Sequence, residues 1–352
     1  MAHFPFCKIT TGSIRTVRIQ LLLCCFLLPL IIYFLQGRKV AIGLDSSLPI
    51  DNGMDSDRGK TLTDTKGVRI AGPQTQTVET PWGAPIVWGD DRNSARRRAK
   101  FSEQGIRIGL FVLVVGTYAQ FVRRFLHSAE THFLPGQMVT YYIHTDNPRA
   151  LDPPVELGPE RQMKVFQVTE LPGWDRLALR RMVLLADAIK GPIGSEVEYI
   201  FCADVDQEFV GPVGEEILGD LVATLHPEFY GMARMTFPYE VEEISSACVE
   251  EDEGDYYYTS ELYGGLVSEM YSLAHACSLL ILQDQDNRFT PSGLEESYLN
   301  RFLIDHRPTC VLSPEYSWWD SALAAPVPAR RLVSKGRQCA AYDFQKREEL
   351  KC

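Results

Sequence analysis

The run Tyr199-Ile-Phe-Cys-Ala203, closed by Asp204-Val205-Asp206, constrains this chain more than any other stretch. Five residues without a charge or a polar alternation read as a strand covered on both faces. In extended chain, residues i and i+2 point to the same side. Asp204 and Asp206 can therefore converge on one cation just past the strand's end. Oxygen-only ligation suits Mg²⁺ or Mn²⁺, ions commonly shared with a nucleotide's phosphates. An acidic pair at a strand end can equally be loop solvation, so it needs support from its surroundings.

The flanking chain supplies some. Residues 106–115 form a strongly apolar strand candidate, and 139–143 and 164–168 read as two more. Residues 118–133, with Phe121, Phe125, Leu126, Ala129 and Phe133 at helical spacing, read as a helix, as do 177–189 and 213–225. Short apolar strands alternating with amphipathic helices predict an α/β fold with a Rossmann-like, mostly parallel sheet flanked by helices. Ligands of such sheets sit beyond the carboxyl ends of strands, where Asp204 and Asp206 fall. The first strand-to-helix turn, Val114-Val115-Gly116-Thr117-Tyr118, lacks the Gly-x-Gly-x-x-Gly spacing, so a dinucleotide fold of that fingerprint is not expected.

A chain of 352 residues, 45% hydrophobic, can bury a large core in one big domain or two smaller ones. A net charge of -11 argues against a nucleic-acid partner, whose footprint is basic. An anionic substrate would then need a metal or local arginines. Residues 19–35 are an almost unbroken apolar run of 17 residues, with Lys8, Arg15 and Arg18 before it and Arg38 and Lys39 after. That length is at the short end for a membrane span and suits the thinner membranes of the early secretory pathway. A cleaved signal peptide competes, but the run is long for one and no clear small-x-small site follows. The expected layout is a cytosolic tail at 1–18, a transmembrane signal anchor at 19–36, a flexible stem at 37–79 and one luminal domain at 80–352. The six cysteines after the anchor show neither CxxC nor zinc spacing, and Cys202 reads as a small buried hydrophobe.

Three further stretches accompany the acidic pair. They are His226-Pro-Glu-Phe-Tyr-Gly231 leading to Phe237-Pro-Tyr-Glu240, Glu253-Gly-Asp-Tyr-Tyr-Tyr258 leading to Gly264-Gly265, and Glu295-Glu-Ser-Tyr-Leu-Asn300 leading to Leu312-Ser-Pro-Glu-Tyr316. With Asp-Val-Asp, in this order and spacing, the chain from about Thr80 to Trp318 resembles the family 6 glycosyltransferases. That family holds the ABO blood-group transferases, the α1,3-galactosyltransferases, and the Forssman and isogloboside synthases. The resemblance implies a GT-A fold in a single catalytic domain, a single-pass type II Golgi membrane protein, and Mn²⁺-dependent retaining transfer. Galactose or N-acetylgalactosamine would pass from a UDP-sugar, in α1,3 linkage, to a galactose-type acceptor on a glycolipid or glycoprotein. Residue by residue, it implies that Asp204 and Asp206 hold Mn²⁺ and the diphosphate, that Leu113, Val115 and Tyr118 receive uridine, and that Arg181 meets the donor sugar side. Glu295 would bind the donor sugar, Glu296 would be the catalytic carboxylate facing its anomeric carbon, and His226 would contact the acceptor. A homodimer is left open.

The chemistry agrees. Retaining glycosyl transfer passes through an oxocarbenium-like state that a carboxylate stabilises or briefly traps. UDP leaves without protonation when a divalent cation neutralises its growing charge. Plainer roles compete for each residue. Ser292-Gly-Leu-Glu295 fits a capping box, and Glu296 fits a first-turn acid favoured by the helix dipole. Arg181 could be an exposed helix charge and His226 a satisfied core histidine. The chain departs from the family at Gly293-Leu294, where relatives carry Trp-His and so an aromatic platform, and at Trp318-Trp319-Asp320, where they carry Trp-Asp. It departs again at Glu261, where Gly or Ala is usual. A glutamate there takes the volume an acetamido group needs and brings a charge that sugar hydroxyls could satisfy. Glu261 is therefore expected in the donor site, with UDP-galactose the favoured donor. The alternatives are another donor sugar on the same fold and a catalytically silent luminal binding protein; retention of Asp204, Asp206 and Glu296 favours an active enzyme.

Overall fold

Strand residues 107–114 alternate between two cores. Ile108, Leu110, Val112 and Val114 face one, with Phe125 and Leu126, while Phe111 faces the other, with Met182 and Leu185. A strand buried on both faces must lie in a sheet between helices. The computed structural model of the chain describes residues 77–101, 105–169 and 174–336, which belong to the unit Asp64–Cys352. The expected tail, anchor and nearly all of the stem lie outside the described residues. Among the described residues no helix is long and apolar enough to cross a membrane.

The strands are β1 (Ile86–Val87), β2 (Arg107–Val114), β3 (Met138–Thr145), β4 (Arg161–Gln167), β5 (Tyr199–Asp204), β6 (Gln207–Phe209), β7 (Leu221–Leu225), β8 (Tyr258–Leu266), β9 (Cys310–Leu312) and β10 (Leu332–Ser334). Helices α1 (Arg92–Phe101), α2 (Val122–His132), α3 (Trp174–Ala188), α4 (Val267–Asp286) and α5 (Glu295–Asp305) connect and cover them. Eight strands form one sheet in the order β1-β9-β7-β8-β5-β2-β3-β4. All neighbours run parallel except β8, which is antiparallel to both β5 and β7. Strands β6 and β10 form a separate antiparallel ribbon. Phe125, Leu126 and Ala129 of α2 seal one face; Met182, Met270, Leu273, Leu299 and Phe302, from α3, α4 and α5, seal the other.

The four expected strands form, and the sheet is mostly parallel as its apolar strands imply. The helix expected at 213–225 does not. A short 3₁₀ turn, Glu215–Ile217, is followed by strand β7, whose five residues Leu-Val-Ala-Thr-Leu are all buried. A helix covering a sheet keeps one face in water, whereas this run is enclosed between β8 and β9, where Val222 and Thr224 suit a pleated surface. Cys202, Cys277 and Cys310 are buried free thiols and Cys248 is a fourth free thiol.

Candidate active site

The carboxyl ends of the central strands open onto a cavity of about 700 Å³. Its lining follows the strand order. β2 ends with Leu113, which pairs with Asp204 of β5, and the turn after β2 adds Val115 and Tyr118. Gly116, between them, takes φ 61°, and the Asp146 carboxylate at the end of β3 accepts its N–H at 3.2 Å. Asp204 and Asp206 come next, then Ser260 and Glu261 of β8, then Glu228 after β7 and Trp319 and Asp320 after β9. Arg181 enters from α3 and Glu295 and Glu296 from the first turn of α5.

Arg181 is the buried hub of this wall. Its Nε donates to Glu295 Oε1 at 2.7 Å, its Nη1 contacts Asp204 Oδ1, and its Nη2 donates to the Ser260 carbonyl at 3.0 Å. Burial works against its charge, but Asp204 and Glu295 outweigh that and hold the guanidinium's pKa raised. Burial likewise raises the Glu295 carboxyl, with Arg181 opposing, and Glu295 Oε2 is buried without a hydrogen-bond partner. Arg181 is thus no exposed helix charge. Nor is Glu295 part of a capping box, because the Ser292 N–H donates to Glu240 Oε2 at 3.3 Å. Glu296 accepts the Ser260 N–H at 2.9 Å, which fixes it against the start of the β8 wall.

Two expected residues stand differently. Glu261 lines the cavity, but its Oε2 accepts from Gln207 at 3.1 Å and Ser317 at 2.7 Å. Protein donors already satisfy this charge, so sugar hydroxyls are not needed, and the galactose preference drawn from it loses its premise. His226 stands behind the wall rather than in it. It is buried, accepts the Glu228 N–H at 3.3 Å, and packs edge-on to Trp319 with ring centres 4.9 Å apart. Trp319 and Glu228 take the lining positions, joined by Trp319 Nε1–H to Glu228 Oε1 at 2.9 Å. Glu228 lies within a motif stretch and Trp319 within the departure at Trp318-Trp319-Asp320, yet neither carried a recognisable ligand spacing.

Other motif residues are structural. Asn300 receives the Tyr258 N–H at 2.9 Å and donates to the Tyr258 carbonyl at 2.8 Å, tying α5 to β8. Glu315 accepts the Gly89 N–H at 2.8 Å and lies 3.5 Å from Arg331. A Cβ at Gly264 would meet Phe201 Cδ1 at 2.3 Å, so only glycine lets β8 lie this close to β5.

Among the described residues no group of three or more His, Cys, Asp and Glu side chains is arranged to hold a metal ion. Asp204 and Asp206 nevertheless present a hard-oxygen pair to the cavity, a donor set that fits a divalent cation completed by ligands from outside the chain. Room for it is kept at the rim, where a Cβ on Gly336 would fall 1.8 Å from Asp206 Oδ2.

The sequence pattern of "Glycosyltransferase family 6" matches residues 61–340. The chain is 41% identical over 247 residues to mouse "Globoside alpha-1,3-N-acetylgalactosaminyltransferase 1", covering 70% of this chain and 71% of that one. It is 39% identical over 255 residues to rat "Histo-blood group ABO system transferase 1" (72% and 73% covered). It is 38% identical over 251 residues to human "Alpha-1,3-galactosyltransferase 2" (70% and 73% covered). The matched stretch takes in every strand of the sheet and every residue of the cavity wall, and so this chain belongs to glycosyltransferase family 6.

Proposed function

We propose that this glycosyltransferase is a retaining UDP-sugar hexosyltransferase that moves galactose or N-acetylgalactosamine in α1,3 linkage onto a galactose-type acceptor. The observation that carries the reading is that Asp204 and Asp206 at the end of β5 and Glu296 at the start of α5 share one cavity. In this reading Leu113, Val115 and Tyr118 receive the uridine, and Asp204 and Asp206 would hold Mn²⁺. A bound Mn²⁺ would neutralise charge growing on the departing diphosphate. Glu296, fixed by the Ser260 N–H, stabilises positive charge at the anomeric carbon or briefly traps it. Arg181 holds the carboxylates of both Asp204 and Glu295 in the wall. Relatives whose names specify either sugar support keeping both donors. A Golgi location, type II, is supported by the apolar run at 19–35 and its basic flanks.

The test is a transfer and hydrolysis assay of the protein with Mn²⁺ against a panel of UDP-sugars, with and without galactosides. Turnover of UDP-galactose or UDP-N-acetylgalactosamine is expected, and Asp204→Asn should abolish it. Absence of turnover with every UDP-sugar would refute the reading.

A further inference from the structure

The outer face of α4 is apolar where the solvent side of a surface helix is ordinarily polar. Leu279 and Leu282 are 54% and 51% exposed. Among the described residues they are the one pair of exposed large apolar side chains that shares an α-helix. His275 lies one turn before Leu279, and its ring stacks on Tyr271 with centres 5.5 Å apart. Tyr271, His275, Leu279 and Leu282 follow at spacings of four, four and three, so they form one stripe along the helix. The opposite face is already committed: Met270, Leu273, Ala274, Cys277 and Ile281 are buried in the core that α4 shares with α3 and α5. An apolar stripe of this kind marks a surface that another body covers.

The charges on α4 decide which body. Its 20 residues contain no Lys or Arg, whereas helices that lie on lipid carry basic residues along their polar face. A second copy of α4 is complementary instead. In an antiparallel pair with its twofold axis beside Leu279, that leucine packs on its own copy and Leu282 packs on the partner's His275. Glu269, in the first turn, and Arg288, just past the last, are both exposed and stand about 15 Å to either side of the axis. Each therefore faces its opposite charge on the other copy, and the Tyr271 hydroxyl faces the partner's Asp286. A parallel pair would set Glu269 against Glu269 and Asp286 against Asp286, which is unfavourable. Contacts that repeat in both directions across a twofold axis are what a closed dimer needs. No α4 residue lines the cavity, so docking here leaves its wall untouched.

We propose that the outer face of α4 is a self-docking surface, on which two copies of this chain pair antiparallel through His275, Leu279 and Leu282, with Glu269 and Arg288 bridging at both ends. One helix face is a small contact beside the roughly 1,600 Å² of a standard interface, so the pair should be reversible, with a Kd on the order of micromolar. The test uses the full chain in detergent. Leu279→Cys, beside the axis, should cross-link to its own copy under mild oxidation, well above the wild-type background on a non-reducing gel. Leu323→Cys, at a side chain 47% exposed and off α4, should stay at that background. Glu269→Cys/Arg288→Cys should cross-link, whereas Glu269→Cys alone should not, because its two copies lie about 30 Å apart. By sedimentation, Leu279→Glu/Leu282→Glu should weaken the dimer about tenfold or more; both side chains are half exposed, so the fold is spared. Leu279→Cys cross-linking no better than Leu323→Cys, or a glutamate variant as dimeric as the wild type, overturns the proposal. Glu269→Cys cross-linking to its own copy overturns it too, because the pair would then be parallel.

Discussion

Replacing Arg181 with Met should cost more at alkaline pH than at neutral pH. Burial already raises the wild-type Glu295 carboxyl from 4.5 to about 7, with Arg181 opposing. The substitution removes that opposing cation from a side chain that is 4% exposed, so the value rises further. An uncompensated buried carboxylate escapes its penalty by taking a proton. Losing the bond to the Ser260 carbonyl costs about 1 kcal/mol at any pH. Asp204, about a third exposed, adds little. The sign follows from linkage. In both proteins the folded Glu295 value lies above the unfolded one, so both lose stability as pH rises above 4.5. The wild type stops losing it above about 7, where its Glu295 ionises in the folded state, whereas the variant goes on losing about 1.36 kcal/mol per pH unit. The loss should therefore be about 1–2 kcal/mol at pH 7 and grow by roughly 2–3 kcal/mol by pH 9. Urea denaturation followed by tryptophan fluorescence at pH 7 and pH 9, without added metal, measures both. The double variant Arg181→Met/Glu295→Gln should recover most of the alkaline increment. A loss that is the same at pH 9 as at pH 7 would refute the reasoning.

The remaining predictions are as direct. Glu296→Ala should leave UDP binding by calorimetry largely intact while cutting kcat by orders of magnitude; a variant keeping most of its kcat would move the catalytic role elsewhere. His144, stacked between Phe111 and Phe166, has its pKa lowered by burial to about 4, so the folded state favours the neutral ring. Stability should therefore fall by roughly 2 kcal/mol between pH 7 and pH 5, and His144→Phe should flatten that part of a urea-denaturation profile. Gly336→Ala should weaken Mn²⁺-dependent UDP binding with little change in Tm, since its Cβ would collide with Asp206 Oδ2; unchanged affinity by calorimetry would show that Asp206 yields freely.

What sequence could disclose was whatever depends on neighbours along the chain. An apolar run ending in two acids two residues apart fixes both the burial of β5 and the direction of Asp204 and Asp206, because side-chain alternation is local. The nature of 213–225 is not local. Leu-Val-Ala-Thr-Leu is short and apolar but for Thr224, and only its enclosure by β8 and β9 decides for a strand. The reversed direction of β8 is invisible for the same reason. So are the partners of Glu261, since Gln207 and Ser317 stand 54 and 56 residues away. Glu228 and Trp319, 91 residues apart, become one unit only when the loops after β7 and β9 meet. The capping-box pattern at Ser292–Glu295 was locally sound, yet Arg181, 114 residues earlier, claims the carboxylate instead.

The ribbon of β6 and β10 sets an order in time. Residues 207–209 pair with 332–334, and the Lys335 N–H donates to the Asp206 carbonyl at 2.7 Å. A ribosome delivers β5 and the acidic pair more than a hundred residues before it delivers β10. During synthesis β5 can therefore be in place while the backbone of Asp206 still lacks its clamp. The acid pair is made long before it is secured. A chain halted before Leu332 would carry the strands of the sheet but not the ribbon that steadies the turn of its acidic pair.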